Sequence, residues 1–227
     1  MGEILFGTAS WTDPTLIKSG RFYPPRARTA EDRLRYYATQ FNMVEVDSSY
    51  YGMPAQDMSG LWVKRTPDSF TFDIKAFRLF TKHPTSPTTI PKAVRDAFPD
   101  RLKTKKRFYY HDLPGEITGE LWRRFEDALL PLDSAGKLGV VLFQFPNWFF
   151  PANENRDHIL ECKRMLPQYQ VAVEFRHGSW LNEKNYDRTM SFLRDNDLAY
   201  VSVDEPQGLR TSVPPVAEAT SDIGMVR

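Results

Sequence analysis

Short apolar runs recur along the chain, each stopped by a polar turn and followed by a stretch with helical spacing. Residues 4–7 predict a first strand, ending in Thr8-Ala9-Ser10-Trp11. Residues 43–47 and 71–75 predict the second and third, and 138–144, the most apolar, a fourth that Pro146 stops. Residues 171–175 and 199–203 give the fifth and sixth, and Gly224-Met225-Val226-Arg227 reads as the opening of a seventh. Between them, apolar residues fall at spacings of three and four. Leu34, Tyr37, Ala38 and Phe41 share one face of a helix over 30–41, and Met58, Leu61 and Trp62 one over 54–65. Leu121, Trp122, Phe125, Leu129 and Leu132 mark 121–132. Ile159, Cys162 and Leu166 mark 156–166, and Met190 with Leu193 marks 186–196.

Strand and helix in steady alternation predict parallel strands with crossover helices, an α/β chain of the (β/α)-barrel (TIM) type. Residues 1–227 read as a single domain. A closed barrel needs eight strands, so the expectation is a barrel lacking its last one to two β/α units. Residues 76–137, between the third and fourth strands, read as an insertion over the barrel mouth with one short extra helix. It holds Pro84, Pro87, Pro91 and Pro99, then the basic run 101–107 and Phe108-Tyr109-Tyr110.

Charge and composition narrow the classes. There are 30 Lys plus Arg against 29 Asp plus Glu, which argues against bulk electrostatic attachment to nucleic acid. A local patch, Arg101 to Tyr110, keeps the composition of a phosphate-tracking surface with stacking rings, or of a solvated loop face with the rings beneath it. The single cysteine, Cys162, permits no internal disulfide, and a cytoplasmic setting is expected. The N-terminus has no basic start followed by an apolar stretch, so no secretory leader is expected. No window approaches the ~20 apolar residues of a membrane span.

In parallel barrels the site forms where the strands end. Those ends carry Ser10 and Trp11, Glu45 and Asp47 followed by Tyr50, Asp73 and Lys75, Gln144, Glu174 and Arg176 with His177, and Asp204. Alternation puts Glu45 and Asp47 on one face of their strand, and likewise Asp73 with Lys75 and Glu174 with Arg176. The functional reading makes Glu45 or Glu174 a general base and Lys75 and Arg176 electrophilic stabilisers. Ser10, Trp11, Asp47, Tyr50, Gln144, His177 and Asp204 would bind the substrate, small and anionic or hydroxyl-rich. The competing reading is an ion-pair network that neutralises itself. A divalent metal held by Glu45, Asp47, Glu174 and Asp204 stays open, while no His-x-x-x-His pair, P-loop, Gly-x-Gly-x-x-Gly or Gly-x-Ser-x-Gly occurs. His158 and Cys162 read as packing residues. Phe143, Phe145, Trp148, Phe149 and Phe150 divide between packing behind the fourth strand and walling a pocket.

Several of these segments together resemble one family. They are Gly7-Thr8-Ala9-Ser10-Trp11, Phe22-Tyr23-Pro24, residues 44–52, Leu142-Phe143-Gln144-Phe145-Pro146, Glu174-Phe175-Arg176-His177 with Ser179-Trp180, and Val203-Asp204. In that order, over nearly the whole chain, they are similar to the YecE-like family of bacterial TIM barrels, a domain of unknown function. The resemblance implies a fold similar to endonuclease IV and xylose isomerase-like barrels and, through the former, a DNA-processing role. The zinc-binding strand-end histidines of endonuclease IV have only His177 as a counterpart here. Family members also continue past Arg227 through an Arg-Phe-His-Gly-like segment. An interaction scaffold without catalysis is the third class that the residues leave open.

Overall fold

The computed structural model describes residues 2–209 and 212–227. In chain order its regular elements begin with α1 (Pro14–Lys18), α2 (Ala30–Tyr37), β1 (Met43–Val46), α3 (Ser48–Tyr51), α4 (Gln56–Lys64) and β2 (Thr71–Lys75). Then come α5 (Lys92–Asp96), α6 (Asp100–Lys103), α7 (Gly115–Ser134), β3 (Leu138–Gln144), α8 (Asn153–Met165), β4 (Val171–Glu174), α9 (Tyr186–Asp195), β5 (Leu198–Ser202) and β6 (Met225–Val226). The strands lie in the sheet in chain order, β1 to β6. β1 pairs with β2 in parallel, as do β3 with β4, β4 with β5 and β5 with β6. Among the described residues no helix is long and apolar enough to cross a membrane.

By its internal contacts the chain forms two compact units, Met1–Phe77 with Gly119–Gly139, and Arg78–Thr118 with Val140–Arg227. The segment 76–137, read from sequence as one insertion, is thus divided between them. It carries two short α-helices, α5 and α6, where one extra short helix was expected, and the 20-residue α7, which contains the helix expected at 121–132.

In the first unit, α2 starts at a capping box. The Thr29 hydroxyl accepts from the Asp32 N–H and the Asp32 carboxylate from the Thr29 N–H, each at 3.0 Å. The helix then buries Leu34 and Tyr37. The strand expected at residues 4–7 does not form as one. The segment meets β1 through a single parallel bridge, Ala9 to Glu45, with the Glu45 N–H donating to Thr8 O and the Ser10 N–H to Glu45 O. Farther up, the Asn42 side chain accepts from the Phe6 N–H and replaces a ladder bond. Ile4 and Phe6 are 72% and 66% exposed, so their alternation buries nothing. At Gly7 a Cβ would stand 2.3 Å from Met43 O, which is why this close approach needs glycine.

In the second unit, alternation gives the strands two buried faces, as parallel sheets require. Val140, Leu142, Ala172, Ala199, Val201 and Val203 form one apolar cluster with Met225 against it. Val141, Phe143, Val171, Val173, Leu198 and Tyr200 are buried on alternate positions. Counting by twos from Leu142 and Ala172 leads to Gln144 and Glu174, which are register partners. The apolar column therefore ends in a polar layer at the carboxyl ends of β3 and β4.

Candidate functional site

The sequence-predicted residues fall into two clusters, one in each unit. In the first, Glu45 and Asp73 are register partners on β1 and β2, both buried. The Lys75 ammonium lies 2.7 Å from Asp47 and 5.0 Å from the Tyr50 ring centroid. The carboxylate of Asp73 occupies the space over Gly139, where a Cβ would come within 2.2 Å of Oδ1. Ser10 adopts φ +83°, a left-handed conformation costly for a residue with a Cβ. Its hydroxyl oxygen accepts from the Thr12 N–H at 3.1 Å and stabilises that turn. Trp11 is buried edge-on against Trp62 and Phe72. Ser10 and Trp11 thus shape the turn and its packing.

The second cluster is built around Glu174, whose relative exposure is 0%. Its Oε1 accepts from Gln144 Nε2 at 2.5 Å and from Arg176 Nη1 at 3.1 Å, while Oε2 accepts from Arg227 Nη1. Arg176 Nη2 reaches Glu205 at 3.2 Å. Glu205 is itself held by the Val213 N–H, which donates to its other oxygen at 2.8 Å. A carboxylate with two guanidiniums, and a guanidinium with two carboxylates, form an alternating network in which each buried charge meets its opposite.

Beside this network lies a cavity of about 440 Å³. Arg176, Glu205, Gln144, His83, Trp148 and Ser212 are among its lining residues. Trp148 is 49% exposed and packs its ring edge-to-face with His83, centroids 5.7 Å apart. Of the neighbouring aromatics, Phe145 and Phe149 are buried and Phe150 is 51% exposed. Phe145 stacks on Phe149 at 4.2 Å, and Phe175 stacks on Trp180 at the same distance. Trp148 and Phe145 line the cavity, whereas Phe150 packs edge-to-face on His177.

Asp204 is exposed and outside this lining, and the next residue, Glu205, occupies the place expected of it. His177 caps the short turn Gly178–Trp180, its Nδ1 accepting from the Ser179 N–H at 3.2 Å. His83, Glu205 and Ser212 lie on loops, where no periodicity announces a side chain's direction. For His83 the usable signal is Thr81, one residue beyond its neighbour and able to hydrogen-bond the ring.

The basic segment is partly neutralised. Lys103 pairs with Asp100, Lys105 with Asp112, and Arg101 donates to Asp112 O. Phe108 is buried, Tyr110 donates to Glu161, and exposed Tyr109 stacks on His111 with ring planes 7° apart. Lys106 and Arg107 are exposed. Among the described residues no group of three or more His, Cys, Asp or Glu side chains could hold a metal ion. Cys162 and His158 are buried, and burial pushes the Cys162 thiol well above its ordinary value.

Residues 5–227 match the family model described as protein of unknown function DUF72. The chain belongs to the DUF72 family. It is 30% identical over 219 residues to the UPF0759 protein YunF of Bacillus subtilis (strain 168), covering 96% of this chain and 67% of that protein. A crystal structure of a DUF72 family protein from Thermotoga maritima MSB8 superposes with a TM-score of 0.69 at 25% identity, covering 97% of this chain and 72% of that one. Another, from Enterococcus faecalis V583, gives 0.68 at 22% identity, over 95% of this chain and 68% of its own. These likenesses carry the parallel α/β fold and the family, whose function is unknown.

Proposed function

We propose that this DUF72 chain is an enzyme acting on a small polyhydroxylated ring, such as a neutral sugar, bound in the cavity of the second unit. The observation that carries the reading is the lining itself: a half-exposed indole, Trp148, beside Arg176, Glu205 and Gln144. Such a lining offers an apolar face for a ring and a mixture of donors and acceptors for its hydroxyls. Of the two ligand chemistries open from sequence, the hydroxyl-rich one is better supported than the anionic one. Among the described residues, Glu174 and Glu205 meet the charge of Arg176, and Glu174 that of Arg227, which leaves little unbalanced positive charge there for a phosphate. In this reading Glu174 orients Gln144 and Arg176, because its complete burial keeps it from the ligand. Glu205, Arg176 and Gln144 make the contacts.

Glu45 and Lys75, with Asp47 and Tyr50, form a separate candidate cluster to which we assign no step. The chain-order strands and the likeness to DUF72 structures support taking the sheet as part of a parallel (β/α)-barrel. The motifs at Ser10-Trp11, residues 44–52 and Glu174 to His177 support grouping the chain with YecE-like proteins. Its one cysteine, buried as a thiol, fits a cytoplasmic setting. A nucleic-acid-binding reading draws on Tyr109, His111, Lys106 and Arg107, and it predicts oligonucleotide binding that weakens steeply with salt.

Calorimetric titration of the full chain with monosaccharides, their phosphates and a single-stranded oligonucleotide tests these readings. Saturable binding of a neutral sugar, lost in Arg176→Ala, is the expected result. Covering ~60 Å² of the Trp148 ring at ~25 cal/mol/Å² contributes about 1.5 kcal/mol, so Trp148→Ala should weaken binding roughly tenfold. Binding of the phosphates alone would overturn the substrate class. Binding of the oligonucleotide alone would overturn the small-molecule reading.

A further inference from the structure

The loop that follows β3 has no regular structure, yet it is tied down along its length. The Phe149 N–H closes a turn on Pro146 O at 3.0 Å. Three successive carbonyls then accept from side chains. Phe149 O takes the Trp180 indole N–H at 2.6 Å, Phe150 O the Asn155 amide at 2.9 Å and Pro151 O the Arg156 guanidinium at 3.0 Å. The Phe149 ring is buried, stacked on Phe145 at 4.2 Å and on Trp180 at 5.8 Å.

With its middle residue anchored inward, the loop leaves the residues on either side half in water, Trp148 at 49% and Phe150 at 51% exposure. Trp148 belongs to the cavity lining, as does Leu209, which is 70% exposed. Phe150 stands outside the lining. Its ring packs edge-to-face on His177 at 4.7 Å, and His177 adjoins the lining residue Arg176. Two residues of chain reach at most ~7 Å, so the Trp148 and Phe150 rings rise from neighbouring points. Grouped exposed apolar side chains mark a binding surface where single ones do not. The cavity, about 440 Å³, lies in the ~300–1,000 Å³ range of sites that enclose drug-sized molecules, more room than one sugar ring fills.

We propose that this face binds an oligosaccharide, with Trp148 carrying one ring in the cavity and Phe150 carrying the next ring of the ligand outside it. The inference rests on the polyhydroxylated-ligand reading above and adds a second subsite to it. A sugar ring lays an apolar C–H face on an aromatic ring while its hydroxyls stay hydrated, which suits side chains that are half exposed. Exposed Asn147 beside Trp148, with Arg176 and Glu205 in the lining, interrupts the apolar surface. That alternation fits a ligand of apolar faces and hydroxyls better than it fits the apolar centre of a protein interface. The loop is fixed before the ligand arrives, so little ordering entropy is lost on binding.

The test is calorimetric titration of the full chain with D-glucose, D-galactose and D-xylose, and with cellobiose, maltose, lactose and xylobiose. At least one disaccharide should bind roughly tenfold more tightly than its own monomer, the gain expected from covering a second aromatic ring. Phe150→Ala should bring that ratio close to one, and Phe150→Tyr should keep it. Phe150→Leu, which retains apolar bulk on His177 without a flat face, should lose it as Phe150→Ala does and serves if the alanine variant does not fold. Trp148→Ala should weaken monomer and disaccharide alike. Monosaccharide binding with no tighter disaccharide overturns the second subsite and leaves the cavity reading standing. A ratio that survives both Phe150→Ala and Phe150→Leu overturns the place given to Phe150. If neither monosaccharides nor disaccharides bind, the cavity reading fails and the subsite with it. Self-association in sedimentation that Phe150→Ala abolishes, without any disaccharide gain, would assign the two rings to a second copy of the chain and overturn the proposal.

Discussion

The carboxylate of Glu174 is shut off from solvent, and its two oxygens are divided among an amide and two guanidiniums. Removing that charge leaves two arginines without their shared partner, and breaking a buried ion pair from one side costs about 3–5 kcal/mol. Glu174→Gln, which keeps the shape, should lie near the lower end, about 3 kcal/mol, read as a drop in the urea midpoint at unchanged slope. Arg176, whose side chain is 38% exposed, should behave oppositely. Its replacement by Ala leaves Glu174 with Gln144 and Arg227 as partners, so the loss of stability is expected to be smaller than that of Glu174→Gln, while ligand binding is abolished. Equal effects of the two variants on stability would contradict the division between an orienting carboxylate and a contacting guanidinium.

Elements carry the cavity's shape. At Gly178, where β4 gives way to its short turn, a Cβ would stand 2.4 Å from Ser212 O in the loop that also brings Glu205. Backbone cannot yield cheaply there, so Gly178→Ala should cost about 1–3 kcal/mol of overpacking and weaken sugar binding by moving the cavity wall. Calorimetry alongside a denaturation curve reads both. On α8, Glu161 is held below the usual carboxylate range, first by its hydrogen bond with His158 and then by that from Tyr110. A depressed native pKa contributes stability that is present above the unfolded value, near 4.5, and lost as pH falls through the native one. Glu161→Gln should therefore be less stable than the unmodified chain at pH 7, with the gap closing below about pH 4.5, as paired thermal melts would record.

For the molecule as a whole, most of the strand and helix order was legible because burial imposes a period on sequence. Residues 138–144 and 171–174 read as strands because both their faces are covered. The helices around Leu34, Phe125 and Ile159 read from their apolar stripes. Residues 4–7 show the limit of that logic, since alternation without a covering layer gives one bridge instead of a strand. The division of 76–137 between two units depends on tertiary contacts that no local pattern reports. The site divides in the same way. Gln144, Glu174 and Arg176 were legible as strand ends, whereas Glu205, Ser212 and His83 arrive on loops, where no period reports a side chain's direction. The sequence placed carboxylates and cations at the strand ends, but which of them neutralise one another required distances.

The central claim is that the cavity beside Arg176 holds a polyhydroxylated ring. A crystal of the full chain soaked in the tightest-binding neutral sugar tests it most directly. The account predicts density for a ring lying on Trp148, with hydroxyls within hydrogen-bond distance of Arg176 and Glu205. Sugar density at another site, with this cavity holding only water, would contradict it.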